Sequence, residues 1–147
     1  MLAQTLKHFF IRDLNKLKEE ISLYSSETDI WKIPTGINNS AGTLCLHLVG
    51  NLNHFIGATL GNSGFIRERD LEFSLRNVPR NEMIATIDKA IIIVGQTFDS
   101  IKEEDMGKIY PLEKHGERVT TVHMLLHLMA HLDYHLGQIN YHRRLIA

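Results

Sequence analysis

Near the C-terminus four histidines stand at every fourth position: His123, His127, His131 and His135, with His142 seven residues further on. Residues four apart lie about 40° from each other around a helix and one turn apart in height. Two imidazoles at that spacing can grip one divalent ion, as the zinc helices of the H-E-x-x-H kind do. The ladder marks a face without choosing the pair, because each adjacent couple satisfies the rule. A single H-x-x-x-H is more often a pair of packed residues whose ring nitrogens find hydrogen bonds. Here, however, the ladder borders an apolar stripe of Leu125, Met129, Leu132, Leu136 and Ile139, which directs its members toward a core edge. Imidazoles gathered there are costly to protonate together, and a bound cation gives them a reason to stay neutral.

Two histidines of one helix need at least one further ligand from a facing helix. His47 and His54 are the candidates. Seven residues apart, they share a face but differ in height by about 10.5 Å, too far for both to serve an ion held at about 2.0–2.1 Å. If their helix runs antiparallel to the histidine ladder, His47 pairs with the later rungs and His54 with His123 and His127. Gly50, Gly57, Ala58 and Gly61 follow on that helix, and their small side chains predict a close approach to a neighbouring helix or a second subunit.

Other reactive groups are weaker candidates. Cys45 lies two residues before His47, about 200° around a helix, and reads as a buried structural thiol. Asp133 points about 160° away from His131 and is a poor general base. Glu72 can serve as one only if its loop folds over the site. Arg67, Arg69 and Arg76 could supply cations at the mouth of the site, or pair with Glu68, Asp70 and Glu72 as solvated loop charges. Gln138, one turn beyond His135, could orient a ligand, and Trp31 and Tyr134 read as core packing.

Four segments have the three-four apolar spacing of amphipathic helices. Leu6, Phe10, Leu14, Leu17, Ile21 and Tyr24 mark the first, which ends near Ser25. The second runs from about Ser40 to Leu60, with a cap expected among Asn38, Asn39 and Ser40. Ile84, Ile87, Ile91, Val94, Phe98 and Ile101 mark the third, which starts after Pro79. The fourth runs from near Thr120 to the C-terminus. This predicts an all-α four-helix bundle. Long links, Gly61 to Arg80 and Ile109 to Val119, suggest crossover connections or loops with a task, and the second could form a small hairpin.

At 147 residues the chain is expected to be a single domain over 1–147. A net charge of −1 argues against the basic field that nucleic acid or an anionic membrane would attract. One cysteine precludes an internal disulfide and fits a reducing cytoplasm. No signal peptide is expected, since Lys7, Arg12 and Asp13 interrupt the first apolar residues. Ile33 to Ile66 contains no Lys, Arg, Asp or Glu; its polar His47, Asn51, Asn53 and His54 favour a buried helix over a membrane span.

The segment Leu44-Cys-Leu-His47-Leu-Val-Gly-Asn51, taken with His131-Leu-Asp-Tyr-His135-Leu-Gly137-Gln138, resembles the DinB-like superfamily. Trp31 ahead of Asn39-Ser40, then His47, Gly50-Asn51 and Arg67 to Phe73, looks like one of its uncharacterised subfamilies, and the resemblance covers nearly the whole chain. It implies an up-down-down-up bundle with His47, His131 and His135 as ligands of one divalent ion, zinc or nickel foremost, with iron or manganese also compatible. It further implies a metal-dependent enzyme acting on a small molecule, a thiol-dependent S-transferase first, and a homodimer. The alternatives are a metal-dependent hydrolase and a metal-binding protein without turnover. A low-molecular-weight thiol would be the co-substrate of the first, and cationic side chains near the site are then expected.

Overall fold

A computed structural model of the chain describes residues 1–146. The described residues form five α-helices and no strand: α1 (Leu2–Leu23), α2 (Ala41–Leu52), α3 (Arg69–Ser74), α4 (Arg80–Ser100) and α5 (Thr121–Ile146). Single 3₁₀ turns at Glu27–Trp31 and Glu103–Gly107 complete the connections.

The long helices form where the apolar spacing predicts, with local signals at several of their ends. Before α2, Ser40 holds an extended backbone and its side chain accepts from the Thr43 N–H at 3.1 Å, a cap of about 1 kcal/mol. Pro79 immediately precedes α4, where a missing N–H costs nothing. Arg143 and Arg144 occupy the last turn of α5, where cations meet the negative end of the helix. Beyond Leu52 the second helix continues as a π-helical segment, Asn53–Ala58.

The apolar stripes meet in one buried cluster that includes Phe10, Leu14, Leu48, Ile56, Ile87, Phe98, Leu125 and Leu132. α1 packs against α4 and α5, and α2 against α3, α4 and α5. Lys7 meets Asp99 and Lys18 meets Asp88, each at 2.8 Å, so numbering falls along α4 as it rises along α1. Along α5 it rises with α1: Glu20 accepts from Asn140 and Arg143, and Tyr24 meets His142. The loop between the 3₁₀ turn and α2 is tied down through His142. Its Nε2–H donates to the Lys32 carbonyl at 2.8 Å, so its Nδ1 accepts from the Tyr24 hydroxyl at 2.6 Å.

The glycines of the second helix admit close neighbours from inside the chain. A Cβ at Gly57 would sit 2.8 Å from Ile93, and one at Gly61 2.2 Å from Thr97. Both therefore admit α4, while Gly50 admits Glu72 of α3. The second link holds a tight reversal with two isolated antiparallel bridges, Ile109 to Thr120 and Lys114 to Glu117. His115 and Gly116 at its tip both have positive φ, as a primed hairpin turn requires. No helix among the described residues is long and apolar enough to cross a membrane.

Candidate metal centre

α2 and α5 bring three imidazoles together. One ligand atom from each of His47, His131 and His135 can be chosen so that all three lie within 4.8 Å of one another. Nε2 of His47 stands 3.1 Å from Nε2 of His131. The three rings are mutually edge-on, with centroids 4.6–5.5 Å apart and interplanar angles of 79–90°. Around a tetrahedral ion with bonds of about 2.0–2.1 Å, ligand nitrogens are about 3.3 Å apart, so modest ring rotation closes the set.

The carboxylate of Glu72 fixes the first ring. Glu72 is 7 % exposed, with Oε1 3.1 Å from His47 Nδ1. Arg67 grips the same carboxylate twice, Nε to Oε2 at 2.9 Å and Nη2 to Oε1 at 2.8 Å. Arg67 Nη2 also approaches His47 Nδ1, at 3.4 Å. Guanidinium only donates, and the carboxylate is closer, so Nδ1 carries the hydrogen and donates to Glu72. The lone pair is then left on Nε2, facing the other rings. A carboxylate behind a ligating histidine raises its basicity and sets its tautomer. Gln138 has the same role for His135, whose Nδ1 lies 2.8 Å from its Oε1. Nδ1 of His131 is buried without a hydrogen-bond partner among the described residues, and so is Oδ1 of Asn51, one turn past His47. The donor set, with two of three tautomers fixed for Nε2 ligation, fits a divalent ion.

Burial, with the neighbouring His135 and His47 next, pushes His131 down to about 4. Burial also lowers His47, although Glu72 opposes it. Unfolded chains take up these protons as pH falls through about 6.5, whereas folded His131 waits until about 4. Protons therefore favour the unfolded state in that interval. The metal-free protein is expected to be most stable above pH 6.5 and to weaken progressively toward pH 4. Urea midpoints of chelator-treated protein at pH 7.5 and 5.0 check this, and His131→Gln should flatten the difference. Equal midpoints for the unaltered chain would refute it.

The remaining candidates disperse. His54 packs edge-on to Phe55, His127 lies near His115, and His123 is exposed. Cys45 is fully buried, and burial pushes its thiol up to about 12, so it is no nucleophile. Asp133 faces α1, where burial and the Asp13 carboxyl push it up to about 6. Trp31 is buried beneath α2, its indole where a Cβ at Gly42 would be, at 2.7 Å. Tyr134, expected in the core, is 67 % exposed and rests edge-on against His135. The link does fold over the site, but Glu72 arrives as a support for His47, both oxygens engaged. Arg67 pairs with Glu72, one of the pairings its loop charges allow, but the pair is buried rather than solvated.

A family model described as protein of unknown function (DUF1572) matches residues 4–147. No curated protein matches the chain.

Proposed function

We propose that this chain, which belongs to the DUF1572 family of proteins of unknown function, binds one divalent metal ion on His47, His131 and His135 and uses it as an enzyme. The observation that supports this is the convergence of three edge-on imidazoles, two of them with Nδ1 held by Glu72 and Gln138. Three protein ligands leave a position for water or substrate, the arrangement of catalytic rather than structural zinc sites. A bound ion would lower the pKa of a coordinated water to about 7 or take a thiolate directly. Zinc and nickel are the first choices, with iron and manganese compatible.

The finer reading is a DinB-like single domain with an up-down-down-up four-helix bundle, to which the Lys7–Asp99 and Glu20–Arg143 pairings lend support. Thiol-dependent S-transfer is its chemistry. Hydrolysis is the weaker alternative, because neither Glu72 nor Asp133 is free beside the rings to act as a base. We place the protein in the cytoplasm as a homodimer; Leu126 and Tyr134 leave apolar area exposed on α5.

Elemental analysis after chelation and reloading, with zinc, nickel, manganese and ferrous iron in turn, tests the site. One ion per chain is expected for at least one metal. Trace loading with all four would overturn the reading. Conjugation of a thiol to an electrophile by the loaded protein then tests the chemistry.

A further inference from the structure

Beside the three rings lies a cavity of about 590 Å³, within the range of small-molecule sites, about 300–1,000 Å³. Its wall comes from the 34–39 loop, from Leu44 of α2, and from His135, Gln138, Tyr141 and Leu145 of α5. His135 is the one member of the triad on this wall. We infer that the cavity binds an uncharged small molecule with an apolar body, its polar end turned to His135 beside the proposed metal position. The orientation rests on the metal reading above; the selection against charge does not.

The inference comes from what the wall lacks. Among the described residues, no Asp, Glu, Lys or Arg lines it. The second histidine on the wall, His142, has both ring nitrogens engaged by Tyr24 and Lys32, so it offers nothing to a ligand. The cations that an anionic ligand would need are committed elsewhere. Arg67 is paired with Glu72, Arg69 lies over the Phe73 ring, and Arg76 donates to the carbonyls of Phe73 and Leu75. Lys32 is paired with Asp29, and Arg143 with Glu20. Arg144 stacks on the Tyr141 ring at 5.3 Å and is not part of the wall. An anion seated here would lose water without gaining a partner.

The wall does offer neutral polarity. The Gln138 carbonyl oxygen is held by His135, which turns its amide NH₂ outward as a donor, and Asn38 and Asn39 add amides in the loop. Ile37, Leu44 and the Tyr141 ring supply the apolar surface. This arrangement selects a neutral, partly apolar molecule over an anionic one, so a thiol co-substrate of the proposed S-transfer would be a neutral thiol.

A matched pair of probes tests it: 1-benzylimidazole and 4-(imidazol-1-ylmethyl)benzoate, which share a donor and a ring and differ by one carboxylate. In cobalt-loaded protein, the visible bands report the donor on the ion. In metal-free protein, the methyl signals of Leu44 and Leu145 report occupancy of the cavity. The neutral probe is expected to bind about tenfold or more tightly in both, the cost of an unpaired carboxylate at a partly open wall. Ile37→Lys, which adds a cation to the wall, should narrow or reverse the preference. Equal or tighter binding of the carboxylate to the unaltered protein would overturn the inference, and so would failure of both probes to move the methyl signals. If cobalt fails to bind, the metal reading falls, while the metal-free titration still decides the selectivity.

Discussion

Alanine at His47, His131 or His135 is expected to abolish stoichiometric metal binding, and alanine at His54, His123 or His127 to leave it intact. Zinc held by four ligands gains about 10–16 kcal/mol in small structural sites, so one ligand is worth about 2.5–4 kcal/mol, roughly a hundredfold or more in affinity. A site with only three protein ligands has none in reserve. His47 matters as much as the other two despite its distance in sequence, because its Nε2 meets that of His131 at 3.1 Å. His127 is the informative control. It stands one turn before His131 and could replace His135 by spacing alone, but its nearest ring is His115, with centroids 6.4 Å apart. Loss of metal in the His127 variant with retention in the His135 variant would move the site one turn earlier and make His54 the third ligand. Unchanged metal content in all six variants would reduce the ladder to core packing.

The second large effect is expected at a residue with no side chain. An added Cβ at Gly50 would sit 2.0 Å from Oε2 of Glu72 and 2.6 Å from its Cδ. The carboxylate cannot simply move aside, because Arg67 grips both oxygens and His47 donates to one. Gly50→Ala should therefore expel Glu72, leaving the Arg67 side chain, 11 % exposed, without its counterion. Breaking a buried pair by removing one partner costs about 3–5 kcal/mol. Metal affinity should fall about 10–100-fold as His47 loses its outer support. Glu72→Gln separates the two effects: it keeps the volume and one acceptor, so folding should suffer less than metal binding. Urea denaturation and a competitive zinc titration measure both. A Gly50→Ala protein with unchanged stability and affinity would refute the account.

Much of this architecture can be read along the chain, because helix periodicity is a local signal. The stripe of Ile87, Val94 and Phe98 specifies α4, and Ser40 before a run of apolar residues specifies the start of α2. The three rings were legible for a related reason. A four-residue spacing fixes His131 and His135 on one face, and the height difference between His47 and His54 leaves room for only one of them. Which one depends on helix direction, and that is a long-range fact that no spacing contains. The support for the site is equally long-range. Glu72 sits in a six-residue helix among charges that read as a solvated loop. Its burial makes sense only once Arg67 and His47 are both beside it. The glycines illustrate the same limit: small residues predict a close neighbour but not its identity, and here it is α4 and Glu72.

Glu72 reaches His47 from the link between two of the long helices, so the centre is not a property of the bundle alone. Coupling between two events is reciprocal. Whatever free energy the seated link lends to an ion at His47, the ion must return to the seating of the link. An ion bound at His47 would thereby favour the seated form of the segment from Arg67 to Phe73. In a cell, that would couple the proteolytic lifetime of the chain to the supply of its ion.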